Sequence, residues 1–240
     1  MNLRAHPTVR PHALAIGVFP RRGVVDRLSP HLGTGIAQDV ASALLLDTLG
    51  VLSTIPVRHR IVFAHGDDAV TRQTRLPATW REVAPRGAQP GERLSAALED
   101  LSGLGAEAVL LVAGDGPMIP LSAIYDGLMW LLAKRRILIG SVEGGGLFAM
   151  GSADRVPFLP EVLVPLGLAG PADESSSESA DAFVTARAEA NGLEVQRLPR
   201  SYRVDSIESL RRLKTEVDAG AFAPASRKLF ERPDVLSALA

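Results

Sequence analysis

Apolar runs of strand length alternate along this chain with stretches of helical period. ALAIGVF (13–19) opens the series as a strand, and the polar stretch PRRGVVDRLSPHLG reads as a turn after it. IAQDVASALLLDTLGVLSTI (36–55) is too long and too apolar for a strand. Within it Ile36, Val40 and Leu44, with Ala37, Ala41, Leu45, Leu49 and Leu52, form a wide stripe that predicts a helix covered on most sides. RIVFAHG (60–66) and the short WREVA (80–84) read as strands. PGERLSAALEDLSGLG sets Leu94, Leu98 and Leu101 on one helical face, with Pro90 ahead of the first turn and Gly103 or Gly105 beyond the last. AVLLVAGD (108–115) is a fully apolar strand of the kind found at a sheet centre. A helix over 121–134, a strand over 135–142 and a short strand over 146–151 follow.

Beyond Pro157 the pattern loosens. PADESSSESADAF is polar and acidic, and reads as a loop or the start of a helix. ADAFVTARAEANG predicts a helix closed by Asn191-Gly192, LEVQRLP a late strand, and DSIESLRRLKTEV a helix with Ser206 as N-cap. The tail from Asp218 has no clear period and is expected to pack as an irregular C-terminal arm. The alternation predicts an α/β protein with a mainly parallel sheet flanked by helices, as one domain over 1–217 with the arm at 218–240.

Composition narrows the function classes. A chain of 240 residues can bury a large core, and a net charge of −1 gives no global argument for nucleic acid or an anionic membrane. Charge is uneven locally: Arg4, Arg10, Arg21, Arg22 and Arg27 face only Asp26 in residues 1–27, whereas Asp173, Glu174, Glu178 and Asp181 have no basic neighbour in 171–183. With no cysteine, disulfides and thiol chemistry are excluded. The histidines show no metal-ligand spacing, no serine sits in a G-x-S-x-G elbow, and no G-x-G-x-x-G follows the first strand. Aromatics, 5% of the chain, do not interleave with basic residues, which argues against single-stranded nucleic acid. No signal-peptide core and no run approaching the roughly 18 apolar residues of a membrane span are evident, so a soluble, cytoplasmic protein is expected.

Candidate chemistry collects where strands end. In open α/β sheets, ligands bind beyond the carboxyl ends of the strands. Asp115, in Gly114-Asp115-Gly116-Pro117, ends the most apolar strand, and Gly114 and Gly116 would let backbone approach a ligand closely. A carboxylate placed there suits Mg²⁺ or Mn²⁺; the plainer alternative is that it caps the following helix. Arg27 follows the first strand, and its forked guanidinium suits phosphate. Glu143 begins a second glycine-rich turn with Gly144, Gly145 and Gly146, and Asp205 precedes the last predicted helix. Singly, these three read as a solvated charge, a turn residue and a cap. Together they place four functional groups at strand-to-loop junctions.

Five stretches in order give the chain a family resemblance: GVVDRLSPHLG with LLLDTL, PGERLSAAL, VLLVAGDGPMIP, EGGGLFAMG and LPRSYRVDSIESL. Over about residues 13–215 it resembles a family of uncharacterised bacterial glycosyltransferases (rSAM/selenodomain-associated type). That family lies in the nucleotide-diphospho-sugar transferase (GT-A type) superfamily, whose relatives by pattern include 2-phospho-lactate guanylyltransferase and molybdenum-cofactor guanylyltransferase. The resemblance implies a Rossmann-like GT-A domain. It implies a metal-binding role for Asp115, with Asp205 completing a Mg²⁺ or Mn²⁺ site, and a phosphate contact for Arg27. Glu92 and Arg93 match a G-E-R segment, with a helix-surface salt bridge as the plainer role.

The departures bear on function. The lysine of the first loop is replaced by Val24, Val25 and Asp26, leaving Arg21 and Arg22 to supply charge. A D-G-G-Y-like turn has become EGGG, a W-S-T-like segment has become SSSESAD, and Arg203 stands for the first aspartate of the late motif. The leading expectation is metal-dependent glycosyl transfer from a nucleotide-sugar to a small-molecule acceptor. In it Asp115 and Glu143 are catalytic, Arg21, Arg22, Arg27, Gly114 and Gly116 hold the nucleotide, and Gly144 and Gly145 form the substrate loop. The alternatives are nucleotidyl transfer releasing pyrophosphate, which the missing lysines disfavour, and a catalytically silent binding protein that engages a partner through the crevice or the acidic 171–183 stretch.

Overall fold

The computed structural model describes residues 13–64, 68–116, 118–143, 145–159 and 180–239. Its centre is a seven-stranded sheet of order β3-β2-β1-β4-β6-β5-β7. The strands are β1 (Leu14–Phe19), β2 (His59–Phe63), β3 (Arg81–Val83), β4 (Ala108–Ala113), β5 (Arg136–Ser141), β6 (Leu147–Ser152) and β7 (Glu194–Arg197). All pairings are parallel except those of β6, which runs antiparallel to both β4 and β5. Every residue of β4 is buried, as its unbroken apolar run predicts for a strand with helices on both faces.

The helices are α1 (Arg22–Leu32), α2 (Thr34–Ser53), α3 (Ala69–Gln73), α4 (Pro90–Gly103), α5 (Leu121–Leu131), α6 (Ala180–Ala190), α7 (Ile207–Asp218), α8 (Pro224–Phe230) and α9 (Pro233–Leu239). The largest core cluster joins α1, α2, α5, α7 and the tail to one sheet face, and a second cluster joins α4 and α6 to the other. Glu92, in the G-E-R segment, caps α4 by accepting the N–H groups of Ala88 and Gln89.

Three expectations are corrected. The basic stretch after β1 is not a turn but α1, because Val24, Leu28 and Leu32 recur every fourth residue and are buried. The tail is not irregular: α8 and α9 bury Leu229, Phe230, Val235 and Leu239. Its anchor is Asp47, a buried carboxylate inside apolar α2, which accepts the N–H groups of Ala225 (2.8 Å) and Ser226 (2.9 Å) at the start of α8. Lastly, α2 is long and apolar enough by length and composition to cross a membrane. Here ten of its 20 residues are buried, and it packs against α1, α3 and α8.

Candidate functional site

Register brings the first two groups together. Phe19 at the end of β1 pairs with Ala113 at the end of β4, and Gly114 N–H donates to the Phe19 carbonyl at 2.8 Å. Arg21 and Asp115 each lie two residues beyond that paired row, so they emerge side by side although 94 residues apart in sequence. Arg21 Nη1 donates to Asp115 Oδ2 at 2.6 Å. A Cβ at Gly114 would stand 2.9 Å from Leu45 Cδ1, so this glycine serves the packing of the β4 exit on α2. At Gly116 the same position is open.

The second pair comes from the other half of the sheet. Beyond β5 and β7, Val142 bridges Ser201, and Glu143 N–H donates to the Ser201 carbonyl at 2.8 Å. The chain then runs through Tyr202 and Val204, both buried in the core, and delivers Arg203 and Asp205 to the site. Arg203 Nε lies 3.9 Å from Asp115 Oδ2, and Arg203 Nη2 donates to the Gly145 carbonyl at 3.4 Å. Asp205 is ion-paired with Arg27 of α1, and its backbone N–H donates to Ser209 Oγ at 3.0 Å. Gly145 and Gly146 hold φ of 94° and 92°, the left-handed region that a glycine turn permits.

Four of the predicted groups, Arg21, Arg27, Asp115 and Asp205, therefore meet in one network, joined by Arg203. Sequence reading had counted Arg203 only as a lost aspartate. Its signal was present: a base two residues before Asp205, on the same segment. Glu143 stands apart on the rim, held bidentately by Arg212 of α7 at 2.7 and 3.3 Å, while the Arg212 guanidinium lies 3.8 Å over the Tyr202 ring. Arg22 lies in the first turn of α1. Gly144, Pro117, the N-terminal Arg4 and Arg10, and the acidic stretch up to residue 179 lie outside the described residues. Asp181, the last acid of that stretch, accepts from Ser141 Oγ and ties α6 to β5. An open pocket of about 290 Å³ is lined by Glu143, Tyr202, Arg203, Asp205, Glu208 and Arg212, with Ser206 and Ser209.

Burial dominates the electrostatics. Asp115 is 1% exposed, and Arg21 and Arg203 are each 5% exposed. Burial pushes the Asp115 carboxyl above its ordinary value, against the opposing pull of Arg21 and Arg203. It pulls the Arg203 guanidinium down to about 10, with repulsion from Arg21 adding to the effect. Glu143 moves the other way, its carboxyl lowered by the hydrogen bonds from Arg212.

These residues do not fit the divalent cation implied by the resemblance. Each carboxylate of the network already faces a guanidinium, and three guanidiniums against two carboxylates leave the network cationic. Asp115 Oδ1 is a buried oxygen without a hydrogen-bond partner among the described residues. Mg²⁺ is commonly held by one or two carboxylates with waters and substrate phosphates, but both carboxylates of this network are engaged by guanidiniums. Among the described residues no group of three or more His, Asp or Glu side chains could hold a metal ion.

Comparison with known proteins supports the fold and the resemblance. Residues 48–162 match the family model described as "Uncharacterized protein conserved in bacteria (DUF2064)". A candidate nucleotide-diphospho-sugar transferase from Desulfovibrio desulfuricans G20 superposes with a TM-score of 0.73 at 22% identity, over 94% of this chain and 96% of that one. The 4-diphosphocytidyl-2C-methyl-D-erythritol synthase of Anaerococcus prevotii matches with a TM-score of 0.57 at 10% identity, over 87% and 97% of the two chains. Rv0371c of Mycobacterium tuberculosis H37Rv, in a complex with manganese, matches with a TM-score of 0.50 at 18% identity, over 84% and 97%. No curated protein sequence matches the chain. The chain thus shares the fold of these solved structures.

Proposed function

We propose that the protein is a transferase acting on an activated nucleotide, moving a glycosyl group from a nucleotide-sugar to a small-molecule acceptor, with the cytoplasm as its setting. The observation that carries this reading is the guanidinium network, buried Arg21–Asp115–Arg203 with the half-buried pair Arg27–Asp205, at the carboxyl edge of the sheet beside a pocket. Arginine forks complement phosphate oxygens, and in a water-poor site they stabilise the charge that develops on a leaving diphosphate.

The acceptor hydroxyl attacks the anomeric carbon, and the bond from that carbon to the diphosphate oxygen breaks. The nucleoside diphosphate departs onto the guanidiniums, and the hydroxyl proton passes to the Glu143 carboxylate. Glu143 is ionised at neutral pH, and Arg212 lowers its carboxyl further and holds it in place. Asp115 holds Arg21 and Arg203 in position. Arg27 extends the positive edge along α1, while Gly116 and Gly145 leave room for substrate. No step is routed through Mg²⁺ or Mn²⁺.

Nucleotidyl transfer is the second reading, favoured by the fold shared with the cytidylyltransferases. The products separate the two. Incubation with a panel of nucleotide-sugars and small hydroxyl acceptors is expected to release a nucleoside diphosphate. Release of pyrophosphate from a nucleoside triphosphate would favour nucleotidyl transfer instead. If no nucleotide or nucleotide-sugar raises the melting temperature, both readings fall and a catalytically silent binding protein is left.

A further inference from the structure

We infer that Arg203, backed by Arg21, is an anion clamp that holds the diphosphate of the nucleotide directly, with no bridging divalent cation. The inference rests on the transferase reading above for the identity of its ligand, but its physical basis is separate. Arg203 Nε and Nη1 and Arg21 Nη2 are buried N–H donors without hydrogen-bond partners among the described residues. Stranded charged donors are among the costliest groups to leave unsatisfied in a protein interior. They belong to the two guanidiniums that flank Asp115, and together they offer a site for an acceptor-rich ligand.

Charge points the same way. Asp115 and Asp205 neutralise two of the three guanidiniums that act on one another here, so the network has one positive charge to spare. A divalent cation entering it would add to that surplus, whereas a diphosphate would discharge it. The fold adds a second source of positive potential. Arg21 is the N-cap residue of the 11-residue α1, whose first turn carries no acidic side chain and whose cap makes no side-chain hydrogen bond. The amino end of that helix therefore opens beside the two buried arginines, where partial positive charge favours phosphate.

Access runs through the pocket, because Arg203 is both 95% buried and part of its lining. The rim is different in character: Glu143 is neutralised by Arg212, and Glu208 is exposed. A ligand whose anionic end reaches inward to Arg203 and whose neutral end lies outward among hydroxyls and carboxylates matches that polarity. A diphosphate joined to a sugar has this form. In this arrangement Arg203 is a binding residue, Asp115 is a positioning residue that fixes both guanidiniums, and the aspartate-to-arginine exchange in the late motif replaces a metal with a side chain.

Calorimetric titration of the purified protein with inorganic pyrophosphate, and in parallel with nucleoside diphosphates, is the test, run in EDTA and in Mn²⁺. Binding in EDTA that Mn²⁺ does not tighten is expected. The variant Arg203→Met is expected to lose about tenfold or more in affinity while melting no lower than the parent, and Arg203→Lys is expected to recover part of the affinity. Binding seen only with Mn²⁺ would overturn the clamp, as would unchanged affinity in Arg203→Met or no pyrophosphate binding in either condition. The two proposals fail separately. Glycosyl transfer that needs Mn²⁺ would sink the clamp and keep the transferase. Pyrophosphate held in EDTA, with no nucleotide or nucleotide-sugar bound, would keep the clamp and sink the transferase.

Discussion

Asp115 sits between two guanidiniums, within hydrogen-bonding reach of Arg21 and 3.9 Å from Arg203, and solvent reaches almost none of the three. Removing the charge of a buried ion pair on one side strands the other, at a cost of about 3–5 kcal/mol. Asp115→Asn is accordingly expected to lower the free energy of unfolding by about that much in urea titrations, whatever its effect on ligand. Arg203 behaves oppositely. Its value of about 10 lies below the ordinary arginine value, so the folded chain holds that proton less tightly than the unfolded chain does. The charged side chain therefore costs stability at every pH below about 10, and the cost fades only as pH climbs from there toward the ordinary arginine value. Asp115 keeps Arg21 as a partner when Arg203 is gone, which is why Arg203→Met should spare the fold. The sequence showed Arg203 in plain view, but its meaning depended on facing Asp115, a contact no local pattern encodes.

Among the elements, α1 and the tail were the misread ones, for related reasons. The stripe Val24, Leu28, Leu32 is thin and interleaved with Arg27, Asp26 and Pro30, so its period is masked by polar neighbours. Helices α8 and α9 span only 7 residues each, too short to hold by propensity and dependent on tertiary packing. Asp47 supplies part of that packing. Asp47→Ala deletes an acceptor shared by two N–H groups of the first turn of α8, and such cap losses cost about 0.5–2 kcal/mol. Hydrogen exchange is expected to quicken first over 224–230 in that variant, with the sheet unaffected. Equal loss of protection in β4 would show instead that the tail and the sheet open as one unit.

Across the whole molecule, the sheet order places the ends of β1, β4, β5 and β7 along one edge, with the network spanning from the first half to the second. A ligand bound there contacts residues from both ends of the chain. It should therefore stabilise the fold globally. At 100 times its Kd, a bound nucleotide adds about 2.7 kcal/mol, which for a domain of this size raises the melting temperature by roughly 5–10 °C. A thermal-shift panel of nucleotides and nucleotide-sugars reads this directly.

The sequence by itself determined the alternation of strands and helices, the buried centre at β4, the start of α4 at Pro90, the Ser206 cap of α7, and the location of Asp115 at a strand exit and of Asp205 just before α7. Each follows from local chemistry: side-chain period, glycine and proline punctuation, and capping residues. Only the tertiary structure decided who faces whom. Parallel pairing of β1 with β4 sets Arg21 against Asp115, and the segment after β7 adds Arg203 beside them. Charge compensation is a property of distance in space. Five charges that read along the chain as separate caps, turns and solvated ends become, once brought together with three of them buried, a single cationic site.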